Sequence, residues 1–242
     1  MTSVVRHNNR ISYYVMVYYM KPDKPDNRMI DLDKETNEEL RHQALLERCN
    51  QYRQSLQGRN PQELARMAAM SIRQVNNGIL LLCGEHLLET YLISWPDLII
   101  TSSTGKTASL QTEALWLHYL SRADGCPLTG RWVNLSEIGG LFYQRAFQGY
   151  CGDELAKSWG DDIEGLRKNC LATGGWAIPG LADLAFEWRV LPRLPLCLCY
   201  RLPVETNEAR ATVLFDAAAG HYVAADVAAI VGKYLADLLK PK

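Results

Sequence analysis

The stretch Leu110–Tyr150, LQTEALWLHYLSRADGCPLTGRWVNLSEIGGLFYQRAFQGY, decides how the chain folds. Its first fourteen residues are apolar on most sides, so they form a helix that is covered by other elements rather than one lying on the surface. Asp124-Gly125-Cys126-Pro127 stops that helix, with Gly just past its end and Pro beyond. Asn134–Ile138 predicts a short helical turn, Gly139-Gly140 a hinge and Phe142–Phe147 a second helix.

Upstream of this stretch, three apolar segments of strand length follow one another. Ile79–Cys83, Leu87–Ile93 and Asp97–Thr101 are separated by turn-forming residues, which predicts a meander. Before them, Leu40, Ala44, Leu45, Cys49, Tyr52 and Leu56 recur at helical spacing. Asn60-Pro61-Gln62-Glu63 then reads as the start of another helix, Asn capping it and Pro in its first position. Lys21–Asn37 is polar and holds two prolines, so it reads as a linker. Residues 1–30 form an N-terminal extension, with Tyr13–Met20 a short strand or an ordered arm, and 31–242 a single α+β domain.

Downstream, Asp161-Asp162-Ile163-Glu164 caps a helix that runs through Leu171. Leu184–Val190, Leu196–Leu202 and Thr212–Asp216 read as strands. The chain ends on an amphipathic helix, Ala225–Leu239, whose stripe is Val227, Ile230, Val231, Tyr234, Leu235 and Leu238. Strands cluster, give way to helices and cluster again. That order predicts an α+β fold of antiparallel strand clusters packed with a central apolar helix and a C-terminal amphipathic helix.

Charge excludes one class of partner. Twenty-six basic against 27 acidic residues leave a net charge of −1, with no basic cluster to neutralise a phosphate backbone, so no nucleic-acid partner is expected. No run approaches the ~18 apolar residues of a membrane helix. The seven cysteines are odd in number and scattered through 242 residues, which suits reduced thiols in a cytoplasmic protein.

Several partial motifs name chemistry without its full apparatus. Thr101–Thr107, TSSTGKT, lies between a strand and a helix as a phosphate loop does, but Ile100 stands where the first glycine is required. Cys197-Leu198-Cys199 places two sulfurs on one face of a strand, and no second Cys/His pair accompanies them, so no metal is expected. His118 on the central helix is the side chain there that titrates near neutral pH. The aromatic residues Trp95, Trp116, Tyr119, Trp132, Phe142, Tyr143, Phe147, Tyr150 and Trp159 form either core or the wall of a flat apolar pocket. Arg131, Arg145, Asp124 and Asp183 would edge such a pocket, which suits a large planar ligand. The expected ligand-binding set is Trp95, His118, Tyr119, Asp124, Trp132, Tyr143, Arg145, Asp183 and Arg193, with no catalytic residue assigned. Asp216 and Arg193 are expected to be structural ties, Arg193 bridging to an acidic group such as Asp183.

Particular strings point to a family. SWPDL (Ser94–Leu98), LHYL (117–120), RADG (122–125), Gly139-Gly140 with Phe142-Tyr143, ADLAFEW (182–188), LPRLPL (191–196) and VLFDAA (213–218) occur in order. Together they resemble the domain-of-unknown-function family 3786, over about Trp95 to Leu239. The resemblance implies an accessory protein of anaerobic bacteria and archaea, acting with another protein of an anaerobic pathway or complex. It brings to mind a corrinoid or other tetrapyrrole-like ligand, because some relatives carry an iron–sulfur domain of the kind found beside corrinoid proteins. No CxxC pair occurs here, so an iron–sulfur role is not expected. The rival expectations are an enzyme using His118, Asp124, Asp183 or Asp216 as acid and base, and a pure interaction subunit.

Overall fold

The computed structural model describes residues 31–75, 78–205 and 207–241, with side chains from residue 38 onward. Tyr13–Met20 and the rest of 1–30 lie outside the described residues.

Two antiparallel sheets and the helices between and around them make an α+β fold. Helix α1 (Asp31–Leu56) and the short α2 (Pro61–Met67) lead into the first sheet. Its strands β1 (Ser71–Gln74), β2 (Leu80–His86), β3 (Glu89–Trp95) and β4 (Ile100–Ser102) pair in sequence order. Helix α3 (Leu110–Arg122) follows, then the two-residue β5 (Trp132–Val133). A helical region comes next: α4 (Gln144–Phe147), a π-helical turn (Gln148–Asp153), α5 (Glu154–Trp159) and α6 (Ile163–Ala172). The second sheet adds β6 (Trp176–Ala177), β7 (Leu184–Leu191), β8 (Leu194–Arg201) and β9 (Arg210–Asp216), in the order β5-β9-β8-β7-β6. Helix α7 (Ala225–Leu238) ends the fold.

Local chemistry places the helix ends. Asn60 Oδ1 accepts from the backbone N–H of Gln62 and Glu63, at 2.9 and 3.2 Å, and so begins α2. Ser109 does the same for α3 through Thr112 N–H, and Asp162 for α6 through Gly165 N–H. The linker reading of 21–37 is corrected at its end, since α1 already starts at Asp31. Glu, Lys and Leu favour a helix even where no apolar stripe marks it. Three strands, β1, β5 and β6, went unread because they are edge pieces of only two to four residues, too short to show a period of two.

The central helix is as apolar in its surroundings as its sequence requires. Ala114, Trp116, Leu117, His118, Tyr119 and Leu120 are all buried on α3. Burying Trp116, Leu117, Tyr119 and Leu120 stabilises the fold by about 2 kcal/mol each. The Trp116 ring fits because β2 offers a glycine: a Cβ on Gly84 would sit 2.6 Å from Trp116 Cη2. One hydrophobic cluster runs from Cys49 on α1, through α3, to Leu239 beside α7. On the second sheet, Phe186, Trp188, Leu198, Val213 and Phe215 face that core.

Candidate functional site: a cleft walled by three helices

Between α1, α3 and α7 lies a half-open cleft of about 1000 Å³. Leu45, Arg48 and Tyr52 come from α1, Leu115, His118 and Arg122 from α3, and Asp226, Val227, Ile230 and Tyr234 from α7. His86, at the end of β2, closes one side. Each helix turns part of its apolar stripe toward this space, where Leu45, Leu115 and Val227 also pack against the core. An ion pair, Arg53 to Glu113 at 2.7 Å, ties α1 to α3.

A hydrogen-bonded chain crosses the cleft's floor. The backbone N–H of Ala224, just before α7, donates to His118 Nε2 at 3.0 Å. That nitrogen therefore carries no proton, and the neutral ring holds its proton on Nδ1. Nδ1–H then donates to the Tyr52 hydroxyl, 2.8 Å away. Tyr52 is left with its own proton to donate, toward the cleft that it lines. Burial, with the nearby Arg122, pushes the His118 pKa down to about 4. The ring is neutral at ordinary pH. Burial also raises the Tyr52 pKa, so its hydroxyl stays protonated.

His86 shows the same tautomer from a different cause. Its Nδ1 lies 2.8 Å from the Val190 carbonyl, which can only accept, so Nδ1 carries the proton. Nε2 keeps its lone pair. Burial lowers the His86 pKa, and the ring stacks on Tyr234 with centroids 6.0 Å apart. A histidine whose other nitrogen donates to a backbone carbonyl is oriented as metal-binding histidines commonly are. Charge in the cleft is mixed, with Arg48 and Arg122 against Asp226. Arg48 sits over the Tyr52 ring at 5.9 Å.

Of the residues expected from sequence, His118 lines this cleft; the others lie elsewhere. Tyr119 points the opposite way from α3, donating to the Ala68 carbonyl at 2.6 Å and accepting from Arg193 N–H at 3.1 Å. Arg193 donates from Nη1 to the Cys126 carbonyl, 3.1 Å away, and does not bridge to Asp183. Asp183 instead accepts from Leu202 N–H at 2.8 Å. Asp124 pairs with His221 at 2.7 Å on the surface. Trp132 lies opposite Asp216 in the β5–β9 pairing. Trp95 ends β3, half-buried, while Tyr143 begins α4 and Arg145 is exposed on it. These residues do not converge on one pocket. Of the nine aromatics, Trp116, Tyr119 and Phe147 are almost fully buried in the core, Phe142 is exposed, and Trp95, Trp132, Tyr143, Tyr150 and Trp159 are half-buried.

Sequence reasoning missed Arg48, Tyr52, His86, Arg122 and Asp226. Tyr52 was legible only as one member of an amphipathic stripe, which reads as core when its partner helices are unknown. Among the described residues no three His, Cys, Asp or Glu side chains converge as a metal-binding group. No helix among them is long and apolar enough to cross a membrane.

Fold and cleft together define an α+β protein with a helix-walled cleft. The chain belongs to the family described as Domain of unknown function (DUF3786), whose model matches residues 60–238. The matched range begins after α1, so the wall carrying Arg48 and Tyr52 lies ahead of it. Comparison with curated proteins and with solved structures finds no match.

Proposed function

We propose that this protein binds a small organic ligand in the cleft between α1, α3 and α7 and acts as a non-enzymatic accessory protein. The observation that carries this reading is the locked Ala224–His118–Tyr52 chain, which presents one hydroxyl donor to a space of about 1000 Å³. That volume lies at the upper end of ordinary ligand pockets, and its walls combine apolar side chains with a few oriented polar groups. Leu45, Leu115, Val227 and Ile230 suit an apolar body; Arg48 and Arg122 suit carboxylate edges.

A tetrapyrrole-like ligand, a corrinoid among them, has that chemistry: a flat apolar ring edged with carboxylates or amides. His86 Nε2 is the nitrogen that a metal at the centre of such a ring would require. The setting we propose is cytoplasmic and anaerobic, with another protein supplying or receiving the ligand. Exposed Leu141 and Phe142, at the turn before α4, offer an apolar contact for such a partner. Acid–base catalysis has less support, because Asp124, Asp183 and Asp216 each hold a partner away from His118.

The test is protein purified without oxygen, examined by absorbance and by native mass spectrometry, then titrated with hemin and with cobalamin. A bound species, or binding of either probe, is expected to be lost in Leu115→Trp, which fills the cleft. His86→Ala is expected to change the spectrum of a metal-containing ligand while leaving the fold intact. Binding that survives Leu115→Trp, or no bound species and no uptake of either probe, overturns the reading.

A further inference from the structure

Strand β8 carries Cys197 and Cys199 two residues apart, which in extended backbone turns both side chains to one face. Their sulfurs are 3.8 Å apart. Of the residues paired beside them on that face, Ala185 is buried and Glu187, Thr212 and Leu214 are half-buried, while Arg201 is exposed; Phe186, Trp188 and Leu198 turn to the core on the other. The two thiols differ in access: Cys197 is completely buried, whereas Cys199 is partly open to solvent. They also differ in electrostatics. The contact between the two thiols, helped by the Arg201 guanidinium, pulls the Cys199 pKa below its usual value. The same contact, with burial, pushes Cys197 up. A partly open thiol that ionises more readily, with a buried thiol 3.8 Å away, is the arrangement needed for an attacking and a resolving sulfur.

We propose that Cys197 and Cys199 form a thiol–disulfide exchange site, independent of the cleft, that takes small disulfides as substrate. The Cys199 thiolate attacks one sulfur of RSSR, forming a mixed disulfide and releasing RS⁻. Cys197 then attacks the Cys199 sulfur, forming the Cys197–Cys199 disulfide and expelling the second RS⁻, which takes the Cys197 proton. In sum, one dithiol is oxidised and one small disulfide is reduced to two thiols. The Cα atoms of alternate strand residues are separated by roughly 6.7 Å. That is the outer edge of what a disulfide spans, so the bond formed is under tension and easily reduced. The pair therefore turns over rather than locks.

The experiment incubates the full chain with oxidised glutathione under nitrogen, quenches in acid, alkylates free thiols and maps the peptides by mass. The wild type should yield an internal 197–199 disulfide, the Cys197→Ser variant a glutathione adduct at Cys199, and the Cys199→Ser variant neither. In the wild type, the pH midpoint for alkylation of Cys199 should fall below that of Cys126, the other partly exposed thiol; this reading needs no variant to fold. Failure of the wild type to form the internal disulfide, adducts confined to Cys126, or a Cys199 midpoint at or above that of Cys126 would each overturn the assignment.

Discussion

The imidazole of His118 donates its Nδ1 proton to the Tyr52 hydroxyl across 2.8 Å, although the two residues lie 66 positions apart. The direction of that bond is set by a third group, the Ala224 N–H on the far side of the ring. A buried neutral histidine has a consequence for stability. Its folded pKa of about 4 lies below the ordinary imidazole value of 6.5, so the unfolded chain takes up the proton first as pH falls. Stability is unaffected above pH ~6.5, declines as pH falls from there, and levels off near the folded pKa. The loss is expected to reach about 3 kcal/mol. Urea unfolding between about pH 7 and about pH 4.5 checks this. His118→Gln should make the profile shallower over that window, leaving the part due to His86, whose pKa burial also lowers, and a variant curve parallel to the wild type would show that His118 is not responsible.

Asp216 is the buried acid at the end of β9. Its carboxylate accepts from Thr129 N–H and Oγ1–H, from Gly130 N–H at 2.7 Å and from Ala218 N–H at 2.8 Å. It thereby staples the loop after α3 to the turn before α7. An amide has one accepting oxygen and sets its NH₂ against donors, so Asp216→Asn should lower stability by about 3 kcal/mol. Thermal unfolding measures it. Wild-type stability in the variant would mean that the loop does not depend on this staple.

Gly84 makes room for an aromatic ring rather than for a turn. The added methyl of Gly84→Ala would lie 2.6 Å from Trp116 Cη2 and 2.9 Å from Met70 Cε. The methionine can move aside, but Trp116 is fully buried. Overpacking of this kind costs about 1–3 kcal/mol, so the denaturation midpoint should drop without a change in its slope. Gly84→Ala combined with Trp116→Phe should recover part of the loss, and no recovery would place the clash elsewhere.

The loop Ser102–Thr107 is expected to leave nucleotides unbound. Ser102 N–H donates to the Lys106 carbonyl at 2.8 Å and Gly105 N–H to the Ser102 carbonyl at 2.9 Å. Backbone donors already engaged within the turn are not free to surround a phosphate. Magnesium ATP and GTP should leave the melting temperature unchanged. A rise that disappears in Lys106→Ala would reveal a phosphate site in this loop.

Much of the fold was legible in the chain because its signals are local. Asn60 and Asp162 sit one turn from the N–H groups that they cap, and the apolar content of Leu110–Ala123 announced a covered helix directly. The alternating strands of the second sheet were found for the same reason. Sequence also placed the sulfurs of Cys197 and Cys199 on one face, since a period of two needs no tertiary information.

The candidate site was not legible, and His118 was found without its partners. Tyr52 and Ala224 stand 66 and 106 positions from it, and nothing within a helical stripe distinguishes a residue facing core from one facing a cleft. The aromatic residues misled for a related reason: their composition is equally suited to a core and to a pocket, and only packing assigns them. Sequence by itself determined the elements, their ends and which side chains share a face, because those follow from backbone periodicity and neighbouring donors. The tertiary structure alone decided which faces meet, and so placed α1, α3 and α7 around one cleft, set the proton on each histidine and left Arg193 bonded to a carbonyl rather than to Asp183. Those outcomes depend on groups distant in sequence, whose meeting is fixed only when the whole core closes.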